Sequence, residues 1–192
     1  MSKQSWVLGY HGCDAAFGEA VLSGKKSLQP SVNDYDWLGT GMYFWEADPK
    51  RALDWARAAK QKSSLCKSKI IDPFVIGAII NLGSCLDLTE SASLEELKKA
   101  HEIFSGQDWV KLSNEGTVEN PGRRKLDCAV VNFLHDLRDE AGEKPYDSVR
   151  ALFPEGGPLY PEAGFLDRTH VQLAVRKESS IIGYFRPKLE RL

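Results

Sequence analysis

The sequence is poor in anything that would staple the chain, anchor it or give it one dominant charge. Its four cysteines, Cys13, Cys66, Cys85 and Cys128, are scattered and form no Cys-x-x-Cys pair. That spacing indicates neither a zinc knuckle nor a disulfide scaffold, so reduced packed thiols are expected, and no metal. No apolar run approaches the roughly 20 residues of a membrane span. The opening Met-Ser-Lys-Gln-Ser-Trp has no apolar core of signal-peptide length. A soluble, cytoplasmic protein with no membrane partner is the expectation. A formal net charge of −2 excludes a protein held to nucleic acid mainly by bulk charge. The exception is local: Arg123-Arg124-Lys125 is by default a solvated surface, and otherwise a means of steering an anionic acceptor. Internal repeats, low-complexity tracts and linkers are also absent. With 192 residues, 42% of them hydrophobic, the chain can bury one core, and 1–192 is expected to form a single domain.

What is present alternates between short strands and amphipathic helices. Ser5 to His11 is an apolar and aromatic strand candidate. Asp14 is placed to cap a helix carrying Phe17, Val21 and Leu22, which Gly24 ends. Lys25 to Leu38 is polar and rich in turn residues, hence a loop. Asp48 to about Lys62 is a helix, with Ala52, Trp55, Ala56 and Ala59 on one stripe. Phe74 to Leu82 is a strand buried on both faces. A cap at Ser91 or Ser93 introduces a helix with Leu94, Leu97 and Ile103, and Leu126 to Glu140 makes another. Strands follow at 148–153, 169–176 and 181–185, with a Gly/Pro-rich loop over 154–167 that carries Glu155 and Glu162. Many short strands with a few helices make the fold α+β.

The stretch 39–46, Gly-Thr-Gly-Met-Tyr-Phe-Trp-Glu, organises the rest. Its glycines permit a tight turn or a close approach that a β-carbon would block. The alternation behind them puts Met42, Phe44 and Glu46 on one strand face, and Tyr43 and Trp45 on the other. Asp48-Pro49 then starts a helix. Upstream, Tyr10-His11-Gly12 closes another strand. Two strand ends, offering His and Tyr beside glycines, have the groups to hold a flat polar ring.

Tyr10-His11-Gly12, a helix, a loop, Gly39-x-Gly41-x-Tyr43-Phe44 and a helix opening with Ala52 together resemble the ADP-ribosyltransferase superfamily. The match is to its His–Tyr branch, which includes the poly(ADP-ribose) polymerases and diphtheria-type toxins. It covers roughly the first third of the chain and returns weakly in the last two strands. The resemblance implies a split β-sandwich with flanking helices and an NAD+ cleft between two small sheets. It implies that Gly12 offers its backbone to the nicotinamide carboxamide, that His11 bonds the adenosine ribose, and that Tyr43 stacks on the nicotinamide. Asn33, on the loop in the place of the family's donor loop, is expected to contact the adenosine-diphosphate part, and Trp55 or Trp45 to close over the ring. These roles fit the chemistry. A carboxamide needs a donor and an acceptor, an electron-poor ring favours an aromatic face, and an oxocarbenium-like state must be oriented and stabilised.

Two departures from the family pattern are visible. The usual late-strand glutamate falls on Gln172, which still bonds ribose hydroxyls but brings no charge and is no general base. This favours transfer of single units over polymer synthesis. His170 shares its strand face, and Glu155 or Glu162 could replace the carboxylate. Arg51 stands where the polymerases carry a carboxamide-binding serine, and a cation there can meet a pyrophosphate or an acidic acceptor. The resemblance thus implies a mono-ADP-ribosyltransferase, in which Gln172, Tyr43 and His11 are catalytic and His11, Gly12, Tyr43, Asn33, Arg51 and Trp55 bind NAD+. The acceptor is a macromolecule, protein or nucleic acid, as in a toxin or a defence effector. NAD+ hydrolysis is a variant. A catalytically inactive module binding NAD+ or ADP-ribose, or a protein partner, is the alternative. Transfer as drawn requires the rings of His11 and Tyr43 to converge on one cavity and Gln172 to point into it.

Overall fold

The computed structural model describes residues 6–62, 66, 68–106, 111–117 and 121–188. Nine strands and four helices follow in the order β1 (Trp6–Asp14), α1 (Ala15–Leu22), β2 (Met42–Glu46), α2 (Pro49–Gln61), β3 (Pro73–Asn81), β4 (Cys85–Asp87), α3 (Ser91–Ser105), β5 (Asn114–Gly116), β6 (Pro121–Arg124), α4 (Lys125–Glu140), β7 (Ser148–Phe153), β8 (His170–Val175) and β9 (Ile181–Phe185). The fold is α+β. Seven strands form one mixed sheet in the order β4-β7-β8-β2-β1-β3-β9, and β5 and β6 make a separate ribbon. Only β4 and β7 run parallel; neither β4 nor the ribbon is expected from the sequence, because strands of three or four residues carry too little periodicity to read.

Local chemistry explains most boundaries. The Asp14 carboxylate accepts from Ala16 N at 3.0 Å and caps α1. Its other oxygen accepts from Ile71 and Asp72, pinning the approach to β3. Asp48 accepts from Arg51 N at 2.9 Å and Pro49 occupies the first turn of α2. The expected serine cap of α3 does not form: Glu90 stands at the cap and makes no side-chain bond there. At α4 the cap comes from elsewhere in the chain. Asn114 on β5 accepts from Leu126 N and Asp127 N, and no sequence pattern links residues 12 positions apart in this way.

Each face of the large sheet carries its own core. Val7, Cys13, Met42, Phe44, Ile76, Ala78, Ile80, Leu173 and Val175 pack on one face, where α1 adds Val21. On the other face α3 and α4 cover one half through Leu86, Phe104, Val131, Leu134 and Val149. Helix α2 covers the other half, where Ala52 and Leu53 meet Trp45 and Val75. Burial holds the Cys13 thiol protonated, at about 12, and Cys85 at about 11, so these cysteines are packing groups rather than nucleophiles.

The centre of the sheet is nearly divided. Strands β1 and β3 pair along nine positions, but β1 and β2 share only Gly9↔Glu46 and Tyr10↔Trp45 before they part. In place of the two small sheets expected, one sheet is held together at this thin seam. Gly12 follows the seam at the closest approach of α2. A β-carbon there would lie 2.2 Å from the carbonyl oxygen of Ala52 and 3.2 Å from the Ala56 β-carbon. Gly12→Ala should cost about 3 kcal/mol, the upper end for overpacking, because backbone rather than a flexible side chain must yield. Urea midpoints test this against Gly183→Ala, where a β-carbon meets nothing within 4 Å. Equal midpoints for the two variants would refute the packing account.

Candidate functional site

Directly paired residues of an antiparallel ladder share a face. Trp45 pairs with both Tyr10 and Gln172, Tyr43 with Ala174, Gly12 with Val75, and Ala151 with Gln172. Gly12, Tyr43, Trp45 and Gln172 therefore lie on the face shared by α2 and the α3–α4 pair. His11 pairs with Ile76 and packs its ring against Phe44 at 5.9 Å, on the opposite face. The imidazole and the phenol do not converge as rings, which corrects the spatial expectation drawn from the sequence. The register at Tyr10↔Trp45 is the reason, since it fixes opposite parity for positions 11 and 43.

His11 and Tyr43 meet instead through the backbone. Where β1 and β2 part, His11 Nδ1 donates to the carbonyl of Tyr43 at 2.8 Å and bridges the seam. A carbonyl partner fixes the proton on Nδ1, and Nε2 makes no hydrogen bond among the described residues. Burial pushes the pKa of this imidazole down. The Tyr43 hydroxyl is also committed. It donates to Gly39 O at 2.7 Å and accepts from Leu38 N at 2.9 Å, closing the turn in which Gly39 takes a φ of +73°. Burial, then Asp36, raises its pKa well above the ordinary tyrosine value, so the phenol keeps its proton. Tyr43→Phe would strand the Leu38 N–H and the Gly39 carbonyl, and should cost about 1–2 kcal/mol. An unchanged thermal midpoint in that variant would show the turn does not depend on the hydroxyl.

A polar cluster assembles around Gln172. Its Nε2 donates to His170 Nε2 at 3.0 Å, while His170 Nδ1 donates to Arg168 O at 2.7 Å. Those partners fix the tautomer, and Gln172 Oε1 stays without a partner among the described residues. Burial holds the His170 pKa down, and Phe153 stacks on its ring at 5.8 Å. Beside it, Arg51 Nη2 donates to Glu155 Oε2 at 2.9 Å, and Arg168 reaches the other carboxylate oxygen at 3.3 Å. Glu155 lies 3.9 Å from His170 Nδ1. Trp45, the ladder partner of Gln172, stands beside the cluster, and its ring meets that of Trp55 with centroids 5.8 Å apart. Two buried donors here, Arg51 Nε and Trp45 Nε1, have no acceptor. Unpaired buried donors are costly, and a ligand oxygen would satisfy them.

The structure thus brings Arg51, Trp45, Trp55, Glu155, His170 and Gln172 together, and leaves other candidates outside. Glu162 is exposed on the loop with a φ of +65°. Asn33 uses its amide within its own loop, on Ser31 Oγ and Asp36 Oδ1. The basic run is paired off: Arg124 with Asp127, Lys125 with Asp34, and Arg123 over the Tyr35 ring. Phe153, Trp37, whose ring meets Phe153 at 4.3 Å, and Arg168 are the neighbours not anticipated. The only trace of Trp37 and Phe153 in the sequence is aromatic content in a loop and at a strand end, and Arg168 has none. Among the described residues no group of three or more His, Cys, Asp or Glu is placed to hold a metal ion. No helix among them is long and apolar enough to cross a membrane.

No family model matches the chain, and no solved structure matches it. The chain is similar to an uncharacterized protein of Methanocaldococcus jannaschii, 29% identical over 148 residues. The match takes in 76% of this chain and 64% of the relative, so it spans less than two thirds of that protein's length.

Proposed function

We propose that the chain transfers ADP-ribose from NAD+ to a macromolecular acceptor, on a variant of the ADP-ribosyltransferase fold whose split β-sandwich has closed along the seam between β1 and β2. The observation that carries this reading is the Gln172–His170–Glu155–Arg51 cluster, whose Gln172 and His170 stand on the third of three neighbouring strands, the other two bearing the Tyr and His-Gly motifs. It supplies what the Glu-to-Gln departure takes away. Gln172 offers a carbonyl oxygen to ribose hydroxyls, and Glu155 offers the missing carboxylate from the preceding loop. Arg51 Nε and Trp45 Nε1 suit phosphate or carboxamide oxygens. In the step proposed, an acceptor oxygen or nitrogen bonds to the anomeric carbon as the bond to nicotinamide breaks. The bonding pair leaves with neutral nicotinamide, and the acceptor's proton passes to Glu155. His11 acts in this scheme by holding β2 to β1.

Incubation of the protein with labelled NAD+ and cell extract tests the reading. Label on a macromolecule, lost in Gln172→Ala and in Tyr43→Ala, supports transfer. Free ADP-ribose as the sole product supports hydrolysis. Binding of NAD+ or ADP-ribose with no turnover supports the inactive module, which the committed Tyr43 hydroxyl favours. Absence of both binding and turnover overturns the proposal.

A further inference from the structure

Strand β8 carries Gln172 near its start and runs out at the other end into Arg176 and Lys177. There a cavity of about 400 Å³ opens between Pro30, Thr40, residues 144–147 and those two cations. We propose that this cavity binds a small phosphate-bearing ligand, with the Arg176 fork as its principal contact and Lys144 and Lys177 closing on the anion.

Charge and open hydrogen-bonding capacity carry the assignment. Three cations line the cavity, Lys144, Arg176 and Lys177, against one carboxylate, Asp147. That carboxylate is occupied: Oδ2 accepts from Ser84 N at 2.9 Å, and Oδ1 lies 3.6 Å from Lys177 Nζ. Arg176 is half-buried, and burial pulls its pKa below the ordinary arginine value. Its Nη1 donates to Thr40 O at 3.0 Å and to Asn132 Oδ1 at 3.4 Å. No carboxylate among the described residues lies within ion-pair distance of it, and its Nε and Nη2 have no acceptor there. Asp136 on α4 opposes the burial of Arg176 electrostatically, but it forms no ion pair with it. A half-buried guanidinium without a carboxylate is poorly compensated. Its open Nε–Nη2 edge has the geometry that takes two oxygens of a phosphate side by side. Lys144 is exposed and its ammonium meets no partner among the described residues. Two cations in excess match a phosphomonoester dianion better than a single carboxylate. A recess of about 400 Å³ has room for a mononucleotide or a sugar phosphate.

The cavity also reaches the turn before β2. Asn132 Oδ1 accepts from Thr40 N at 2.9 Å as well as from Arg176, so the same guanidinium that would meet the anion anchors Thr40. Gly39, one residue earlier, accepts from the Tyr43 hydroxyl.

Thermal unfolding and isothermal titration of the full chain, with inorganic phosphate and with AMP as probes and chloride at matched ionic strength, test the site. Both probes should raise the unfolding midpoint above the chloride control. Tighter binding of AMP points to a phosphorylated metabolite, and equal binding to free phosphate. Lys144→Glu changes an unpartnered surface charge, so it should leave the ligand-free midpoint unchanged and weaken both probes about tenfold. Arg176→Gln should abolish binding, but Arg176 also holds Thr40, so Lys144→Glu is the deciding variant. It also separates this site from the Gln172 cluster, which it does not touch. The assignment fails if neither probe stabilises beyond chloride, or if Lys144→Glu binds both as tightly as the native chain.

Discussion

Taking the protein from pH 7 to pH 4 is expected to remove about 3 kcal/mol of folding stability through His135 alone. This residue on α4 is 2% exposed. Its Nδ1 donates to Val131 O at 2.7 Å, while its Nε2 is buried with no partner. Burial, reinforced by Arg176 and Arg138, pushes its pKa from 6.5 down to about 4, with Glu96 opposing and the Tyr146 ring edge-on at 6.0 Å. The unfolded chain therefore takes up a proton below pH 6.5 that the folded chain refuses until about pH 4. Stability is present in full above 6.5 and is lost as the pH falls through that window. His11 and His170 are pushed in the same direction, also by burial, and add to the slope. Chemical denaturation at pH 7, 6, 5 and 4 measures the effect, and His135→Leu should flatten the profile over that range. Parallel profiles for the two proteins would show that His135 binds its proton equally in the folded and unfolded chains, and the burial argument would fail.

The second large effect concerns Glu155. If the proposed transfer takes place, Glu155→Gln should lower incorporation of labelled ADP-ribose about a hundredfold, within the range for loss of a general base. The amide keeps the size of the side chain and an oxygen for Arg51, so the fold and NAD+ binding should persist. Glu162→Gln, on the exposed part of the same loop, should leave the rate unchanged. This contrast separates catalysis from general loop damage. Native rates in Glu155→Gln, with Gln172→Ala equally active, would move the chemistry away from this cluster. Loss of NAD+ binding in Glu155→Gln would instead make Glu155 a positioning residue acting through Arg51.

Much of the scaffold was legible along the chain because it is specified locally. The Asp14 and Asp48 caps, the alternation through Tyr43 and Trp45 and the strands at 148–153 and 181–185 need only neighbouring residues. So does the cluster in part. Gln172, His170, Glu155 and Arg51 are each singled out through the family resemblance. Their meeting depends on pairings that span 104 residues in the case of Arg51 and Glu155.

The rest was fixed by packing between distant segments. The seam of two residue pairs between β1 and β2, which turns His11 away from the Tyr43 ring, is a matter of register, and a single residue of register reverses every face. Asn114 capping α4, Arg176 anchoring Thr40 and Lys125 pairing with Asp34 all join residues with no shared local pattern. The sequence by itself determined the α+β class, the starts of α1 and α2 and the kinds of polar group available. Only the tertiary structure decided which of those groups face one another, because side-chain parity and long-range pairing are properties of the assembled sheet and not of any one strand.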